Sequence, residues 1–316
     1  MAVEARALSL ADVRAAADRI APYVLKTPTL SGESLAGPNV WLKAENLQRT
    51  GSFKVRGAVN AVLQLAPEQR RQGVITLSAG NHGQALAYAA QAFQIPCVVI
   101  IREDAQLTKL QAIHRYGAEI VMVPLAEWQQ RLEMEQQRRN LHLVHPFDDP
   151  AVAAGQGTVG LEILDAVPDL RTAIVPVGGG GLIAGMAVAL KAERPDLRII
   201  GVEPERAPAV SESLAAGHPV TPSRLDTIAD GLAAPYTRPF TLALVQRFVD
   251  QMRTVSDEAI IEAVTTIALH AKLVVEPAGA AAVAALLADS AIERPVAAIL
   301  TGGNVDGHRL GGWLSS

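Results

Sequence analysis

Short apolar segments rich in β-branched residues alternate with Ala- and Leu-rich segments of helical periodicity along most of this chain. The strand-like segments are VITLS, CVVII, EIVMV, AIVPV, RIIGV and AAILT. Strands that alternate with helices predict parallel sheets joined by crossover helices, and continuous apolar strands indicate sheets covered on both faces. Because 316 residues exceed the usual size of one hydrophobic core, we expect two α/β units or one large α/β domain with an insertion.

The ends of two predicted elements are marked by local signals. Ser9 with Asp12 three residues later predicts a capped helix that stops at Pro22. The polar helix EWQQRLEMEQQRRN is followed by the turn-rich loop HPFDDP, which predicts a domain boundary near residue 148.

Charge and hydropathy argue against a nucleic-acid-binding, a secreted or a membrane-spanning protein. The net charge is −4 and no Lys/Arg-rich run occurs, so we expect no nucleic-acid partner. The first 20 residues carry charges throughout, and the most apolar tract is interrupted by Glu276 and Pro277, so we expect neither a signal peptide nor a membrane span. We therefore expect a cytoplasmic protein, in which the single cysteine, Cys97, is a buried apolar residue.

Lys54 lies in the segment TGSFKVRGA, at the start of a predicted helix whose surface is largely apolar. A lysine on an exposed helix face needs no explanation. A lysine that enters the interior is costly unless it is paired, neutral or used covalently. The segment alone leaves both interpretations open.

Three glycine-bearing loops follow predicted strands, at the carboxyl ends where open α/β sheets bind ligands. The loop SAGNHG, from Ser78 to Gly83, leads into a helix whose free backbone N–H groups favour an anion. The loop Gly178–Gly181 suits the close approach of a phosphate. The third loop runs from Thr301 to Asp306. Each of these could also be an ordinary turn.

Other cofactors and chemistries leave weaker signals. The glycines at 179, 181 and 185, with Glu203 further on, loosely imitate a dinucleotide fingerprint, but the spacing differs by one residue. The sequence contains no Walker A segment, H-E-x-x-H pair or G-x-S-x-G elbow, and no histidines at zinc-ligand spacing. A lysine, a phosphate loop, an anion-binding helix start and a hydroxyl-bearing loop together favour pyridoxal phosphate.

Five motifs in this order resemble those of the serine/threonine dehydratase and serine racemase family of fold-type II pyridoxal-phosphate enzymes. They are GSFKVRGA, SAGNHGQALA, PVGGGGLIAG, VVEPAGAAA and TGGNVD, and the resemblance extends from residue 25 to the end. It implies two open, twisted, mostly parallel α/β domains with the cofactor between them. We expect residues 1–50 and 148–316 to form the large, cofactor-binding domain and residues 51–147 the small domain.

The resemblance also implies the residues of the site. Lys54 is the lysine that holds the cofactor as a Schiff base and transfers protons, and Phe53 packs against the cofactor ring. Asn81 binds the phenolic oxygen, and the hydroxyl of Thr301 faces the pyridine nitrogen. The phosphate is bound by Gly178, Gly179, Gly180 and Gly181, and the substrate carboxylate by the loop of Ser78, Ala79, Gly80 and His82.

Two departures from the family pattern refine this expectation. Racemases carry a second hydroxyl where this chain has Ala79, and a methyl group donates no proton, so we expect a dehydratase. The family's divalent-metal site matches here at Glu203 and Ala207, but its further carboxylate is replaced by Ala209. A bound divalent or monovalent cation is therefore doubtful, since hard cations need several oxygen ligands.

We therefore expect β-elimination of water from a β-hydroxy-L-amino acid, L-threonine or L-serine, to give a 2-oxo acid and ammonia. Trp128 aligns loosely with a segment that borders the substrate side chain in relatives, so a bulky substrate such as phenylserine is an alternative. Trp128 could equally cover the edge of the small domain. Serine racemase, a β-replacement enzyme that accepts sulfide, a nicotinamide-dependent oxidoreductase and a non-catalytic amino-acid-binding protein are further alternatives. We also expect a homo-oligomer, a dimer or tetramer. Because the sequence ends soon after TGGNVD, we expect no isoleucine-binding regulatory domain and a catabolic role.

Overall fold

The computed structural model describes residues 8–78, 80–103, 105 and 107–315, without the side chains of residues 107–109. In this part of the chain, ten strands form two sheets. The strands are β1 Thr29–Ser31, β2 Val40–Ala44, β3 Val74–Leu77, β4 Cys97–Arg102, β5 Glu119–Val123, β6 His142–Leu143, β7 Thr172–Pro176, β8 Arg198–Pro204, β9 Gln251–Val255 and β10 Val296–Leu300.

Helices connect these strands, as the alternating sequence predicts. They are α1 Leu10–Ile20, α2 Glu33–Ala36, α3 Lys54–Gln64, α4 Pro67–Gln72, α5 Asn81–Ala92, α6 Leu107–His114, α7 Trp128–Arg139, α8 Pro150–Ala166, α9 Gly181–Glu193, α10 Ala209–Ala216, α11 Pro239–Phe248, α12 Asp257–Thr266, α13 Pro277–Ala288 and α14 Gly307–Ser315. Short 3₁₀ turns occur at Glu45–Leu47, Arg49–Gly51, Leu125–Glu127 and Asp230–Leu232, and a π-helical turn at Ile267–Ala271.

Both sheets are dominated by parallel pairs, so the predicted fold class is confirmed. The larger sheet has the order β1-β2-β10-β7-β8-β9, and β1 and β2 pair antiparallel. The smaller sheet has the order β5-β4-β3-β6, with parallel pairs. The strands of the smaller sheet all lie within residues 51–147. The two-domain division, with residues 1–50 and 148–316 in one domain and residues 51–147 in the other, stays a prediction.

Alternate residues of the strands pack into separate cores on opposite faces of each sheet. In β7, Ala173 and Val175 pack with α8 and α9, whereas Ile174 packs on the other face with α12 and α13. In β4, Val99 packs with α3 and α5, whereas Ile100 packs on the face that holds α7. The near-continuous apolar strands therefore lie in sheets covered on both faces, as predicted.

The predicted cap of the first helix is also confirmed. Ser9 and Asp12 form the reciprocal capping box of α1, which ends at Ile20, shortly before Pro22. Cys97 is buried, and burial raises the pKa of its thiol to about 12, so it behaves as an apolar residue. In the described part of the chain, we find no helix with the length and apolar character needed to cross a membrane.

Candidate active site

Lys54 is the first residue of α3, and its side chain is partly buried. Its Nζ donates a hydrogen bond to the backbone carbonyl of Pro146 at 3.1 Å and lies 5.0 Å from the centre of the Phe53 ring. Burial lowers the pKa of the Lys54 ammonium to about 8, although the nearby Glu276 carboxylate raises it. A substantial fraction of this amine is therefore neutral near pH 8.

The loop before Lys54 pairs with the loop that follows β10. Ser52 and Gly302 form an antiparallel bridge, and the Phe53 N–H donates to the Thr301 carbonyl at 3.1 Å. The Gly303 N–H donates to the Gly51 carbonyl at 2.9 Å. These backbone hydrogen bonds bring the predicted lysine segment and the predicted Thr301 loop together, although about 250 residues separate them in sequence.

Asn81, the first residue of α5, forms hydrogen bonds with the residue before α13 and with the loop that follows β10. Its Nδ2 donates to Glu276 Oε1 at 2.6 Å, and its Oδ1 accepts from Asn304 Nδ2 at 2.7 Å. Asn304 Nδ2 also lies 2.8 Å from the Thr50 carbonyl. The side chain of Asn81 is therefore held in one orientation, because its amide oxygen and its amide nitrogen have different partners.

His82 is buried and neutral. Its Nε2 lies 3.0 Å from the Val144 carbonyl, which can only accept, so Nε2 carries the proton. Burial, together with the nearby Lys54, lowers the pKa of His82 to about 3. Its Nδ1 is then an acceptor, which has no hydrogen-bond partner among the described residues. This side chain is unsuited to a carboxylate, so the anion-binding groups of the loop are the backbone N–H groups at the start of α5.

The glycine loop lies between β7 and α9. Gly180 adopts φ +93°, and a Cβ atom there would lie 2.7 Å from Thr241 Cγ2. A Cβ atom on Gly179 would lie 2.3 Å from the Phe147 ring, which is the residue after Pro146. The loop therefore needs glycine for its backbone conformation and its close packing, and it presents the N-terminus of α9 near the lysine.

Thr301 is buried at the end of β10. Its Oγ1 donates to the Ala278 carbonyl in the first turn of α13 at 3.2 Å, which is long for such a bond. The hydroxyl can therefore turn to a ligand at little cost.

The end of β4 carries a further link to the predicted substrate loop. The Ile100 carbonyl accepts from the Ser78 N–H at 3.2 Å and from Trp128 Nε1 at 3.3 Å. Ser78 Oγ accepts from the Gly80 N–H at 3.2 Å. Trp128 and Ser78 therefore donate to the same carbonyl, which connects Trp128 to this loop. Ala79 lies outside the described residues.

The predicted metal residues do not fit a cation site. Both oxygens of the buried Glu203 carboxylate accept hydrogen bonds at the start of α10: from the Val210 N–H at 2.7 Å, and from the N–H and the hydroxyl of Ser211 at 2.9 and 2.5 Å. Burial raises the pKa of Glu203 to about 7. Ala207 could contribute only its backbone carbonyl, as the resemblance implies, and Ala209 adds no carboxylate. The described residues contain no group of three His, Cys, Asp or Glu side chains that could hold a metal ion.

The remaining site has the groups that pyridoxal phosphate requires. It combines an amine of lowered pKa, a glycine loop at a helix N-terminus, and buried polar atoms that are unsatisfied among the described residues, Ser52 Oγ and His82 Nδ1. We therefore conclude that the residues present fit this cofactor.

Three residues near Lys54 were missed in the sequence analysis. Glu276 contacts Asn81; it interrupts an apolar tract and lies within the motif VVEPAGAAA, but neither signal assigned it a role. Pro146 and Phe147 contribute a carbonyl and a ring, and the loop HPFDDP signals no more than a turn. A carbonyl acceptor has no sequence signature, because every residue carries one.

Comparisons with known proteins identify the family of this chain. The family model of pyridoxal-phosphate dependent enzymes matches residues 20–302. The chain is 39% identical to the L-threonine ammonia-lyase of Thermotoga maritima over 305 residues, which cover 95% of this chain and 76% of that enzyme. It is 40% identical to a catabolic L-threonine dehydratase of Staphylococcus aureus over 320 residues, which cover 98% of this chain and 92% of that enzyme.

Solved structures show the same architecture. Maize serine racemase matches with a TM-score of 0.92 at 37% identity, over 98% of this chain and 97% of that one. A threonine deaminase from T.th. matches with a TM-score of 0.90 at 40% identity, over 94% of this chain and 99% of that one. The similarity thus includes both elimination and racemisation enzymes.

Proposed function

The chain belongs to the family of pyridoxal-phosphate-dependent enzymes, and we propose that it converts a β-hydroxy-L-amino acid, L-threonine or L-serine, to a 2-oxo acid and ammonia. The observation that carries this proposal is the partly buried amine of Lys54, with a pKa of about 8, in a chain whose glycine-bearing loops lead into the N-termini of α5 and α9. The water lost in the elimination is recovered when the product imine hydrolyses, so the net reaction is a deamination.

Pyridoxal phosphate, when bound, supplies an aldehyde that links to amino groups and a conjugated ring that accepts the electron pair from Cα. Lys54 Nζ would link to the aldehyde in the resting enzyme, and once the substrate amino group has displaced it from that link, the freed amine would take the Cα proton. It can act as a base because burial keeps a large fraction of the amine neutral near pH 8. The Phe53 ring lies 5.0 Å from the amine, where it would pack against the cofactor ring.

The other loops bind and orient. The backbone N–H groups of Gly178–Gly181 and the N-terminus of α9 would hold the phosphate. Asn81, fixed by Glu276 and Asn304, would orient the phenolic oxygen, and the Thr301 hydroxyl would face the ring nitrogen. The start of α5, with Ser78 and Gly80, would bind the substrate carboxylate.

Ala79 favours elimination over racemisation. Racemisation needs an acid or base on each face of Cα, and a methyl side chain supplies neither. The hydroxyl at position 301 supports the same conclusion, because a hydroxyl cannot stabilise a protonated ring nitrogen as a carboxylate would. Electron uptake by the ring is thereby limited and loss of the β-hydroxyl is favoured.

The alternative substrate class is a β-hydroxy amino acid with a bulky substituent such as phenylserine. Trp128 shares the Ile100 carbonyl with Ser78, but its ring packs against the apolar cluster on one face of the smaller sheet. This packing favours a role of Trp128 in covering that sheet, so L-threonine and L-serine are the substrates of the proposal. We also propose a homo-oligomer in the cytoplasm, where a lone buried cysteine stays reduced.

The decisive experiment combines a spectrum with a product assay. The purified protein with pyridoxal phosphate should show a visible absorption band from the lysine-bound cofactor, and L-threonine should yield 2-oxobutanoate and ammonia in equal amounts. L-serine and phenylserine in parallel reactions rank the substrates. A protein with the band but without ammonia release from any of the three would disprove the proposed reaction.

A further inference from the structure

Four charged residues form a buried cluster beside the first turn of α3, on the side of the helix opposite Lys54. We call Lys43, Glu45, Arg56 and Glu162 the buried ion cluster. The first three are at most 1% exposed, and the Glu162 side chain is 16% exposed. Two positive and two negative charges balance, so the cluster as a whole is neutral.

Arg56 is the centre of this cluster, and it uses all of its N–H donors. It binds Glu45 through Nε and Nη2, both at 2.8 Å. It binds Glu162 through Nη1 at 2.6 Å and Nη2 at 2.9 Å, and Nη1 also donates to Thr158 Oγ1 at 3.1 Å. Such paired contacts fix the plane of a guanidinium, which a lysine ammonium could not reproduce.

The partners come from parts of the fold that do not include α3. Lys43 lies on β2, and Glu45 follows that strand directly. Lys43 Nζ donates to Glu162 Oε2 on α8 and to the Thr27 carbonyl, both at 2.6 Å. The cluster therefore ties the first turn of α3 to the larger sheet and to α8 at once.

Helical geometry connects this cluster to the candidate catalytic amine. Successive residues of an α-helix are rotated by about 100°, so Arg56 and Lys54 project about 200° apart, on nearly opposite sides of α3. On the Arg56 side, α3 also contacts α8 through its backbone: a Cβ on Gly155 would lie 2.5 Å from the Arg56 carbonyl. A helix held on its back surface cannot rotate, and its rotation decides where Lys54 Nζ points.

Stability alone is a poor reason for such a cluster. Desolvation of buried charges offsets most of their mutual attraction, and apolar side chains of similar volume often serve stability as well. Burial by itself would lower the pKa of Arg56, but Glu45 and Glu162 raise it, so the guanidinium stays charged. Unlike apolar packing, the paired hydrogen bonds of the cluster fix the orientation of the Arg56 guanidinium and so of the helix that carries it.

We propose that Arg56 is a positioning residue for Lys54: through Glu45 and Glu162 it fixes the rotation of α3 and so holds the amine at its working position. This inference rests on the proposed function only in giving Lys54 a reaction to perform. The position of the Lys54 amine does not depend on that reaction, so the effect of Arg56 on it can be tested in the protein without cofactor.

The test uses two mild variants, Arg56→Lys, which keeps the charge, and Glu162→Gln, which removes one partner at the partly exposed end of the cluster. In the loaded enzyme, we expect kcat for L-threonine to fall about 10- to 100-fold, as for displaced catalytic groups, with KM changed by less than about threefold. In the cofactor-free protein, the rate of Lys54 acetylation by acetic anhydride is measured against pH by peptide mass spectrometry. Its midpoint should move from about pH 8 toward that of an ordinary lysine, because a displaced amine is better hydrated.

Glu135→Gln is the matched control. Glu135 is a buried carboxylate on α7 that pairs with Arg131, Arg138 and Arg139, so the variant also disrupts a buried ion cluster. It should leave kcat and Lys54 acetylation unchanged, and acetylation of the exposed Lys272 serves as an internal standard in each sample.

The outcomes separate the two proposals. If both cluster variants keep the parental kcat and the parental Lys54 midpoint, or if Glu135→Gln changes them equally, the positioning role is refuted. If the parent does not deaminate β-hydroxy amino acids but the cluster variants still shift the Lys54 midpoint, the proposed function fails and the positioning role holds. A cluster variant that does not fold leaves the test to the other, and failure of both to fold would assign the cluster to stability and refute the proposal.

Discussion

Asn81 and Glu276 are joined by a hydrogen bond of 2.6 Å between Nδ2 and Oε1, which links the start of α5 to the residue before α13. Through this contact a buried carboxylate lies near the Lys54 amine and raises its pKa against the larger effect of burial.

We expect Glu276→Gln to lower the pKa of Lys54 further, below about 8. The sign follows because an anion favours the protonated amine, and its removal leaves desolvation unopposed. The measurement is the pH midpoint of Lys54 acetylation in the cofactor-free protein. Glu33→Gln, at an exposed acid on α2, should leave the midpoint in place, and an unchanged midpoint in Glu276→Gln would contradict the prediction.

Lys54→Ala should abolish the covalent link to the cofactor and reduce turnover by about 10²–10⁴-fold or more, because the variant lacks both the linking amine and the base. The fold should persist, since the described side-chain contact that is lost is one hydrogen bond to Pro146. Borohydride reduction followed by peptide mapping should place the cofactor mass on Lys54 in the parent. Lys272→Ala should behave as the parent, and cofactor mass on another lysine would overturn the assignment.

Gly180→Val should weaken cofactor binding far more than the matched variant Gly217→Val. Both glycines have left-handed backbones, at φ +93° and +75°, so both substitutions introduce strain of about 1–3 kcal/mol. A Cβ at 180 also meets Thr241, whereas at 217 nothing lies within 4 Å. Titration with pyridoxal phosphate gives the affinities and thermal unfolding gives the stabilities. Equal affinities in the two variants would place the phosphate elsewhere.

Ala79→Ser should raise racemisation relative to elimination, because it restores a proton donor from the substrate loop. General acid–base groups typically contribute about 10²–10⁴-fold. Chiral chromatography of L-serine reactions, beside a pyruvate assay, measures the ratio. Appreciable D-serine from the parent would contradict the dehydratase assignment, and an unchanged ratio in the variant would show that position 79 does not face Cα.

Magnesium should not stabilise the parent protein, because position 209, where the resemblance implies a carboxylate, holds an alanine and the remaining groups provide too few oxygen ligands. Ala209→Asp would add the missing carboxylate and should make the melting temperature depend on Mg²⁺. A ligand at 100 times its Kd stabilises by about 2.7 kcal/mol. Thermal unfolding with Mg²⁺ and with EDTA is the measurement, and a rise of several degrees with Mg²⁺ in the parent would contradict the prediction.

Several features of the fold could be predicted because neighbouring residues encode them. The strands at EIVMV and RIIGV, the capped start of α1 and the helix at Lys54 follow from local periodicity and capping. By contrast, β1, β2, β6 and β9 were not predicted. β1 and β6 are only three and two residues long, and β2 and β9 carry polar or charged side chains that break the apolar pattern.

The sequence by itself determined the class of the fold and the positions of the glycine loops after strands, and it predicts Lys54 as the lysine that a cofactor would use. Only the tertiary structure decided which groups surround that lysine: the carbonyl of Pro146, the carboxylate of Glu276 and the arginine that anchors α3 from behind. The reason is physical. Periodicity and capping act between residues a few positions apart, whereas these contacts join residues as far as 195 positions apart, and packing of the two sheets creates them.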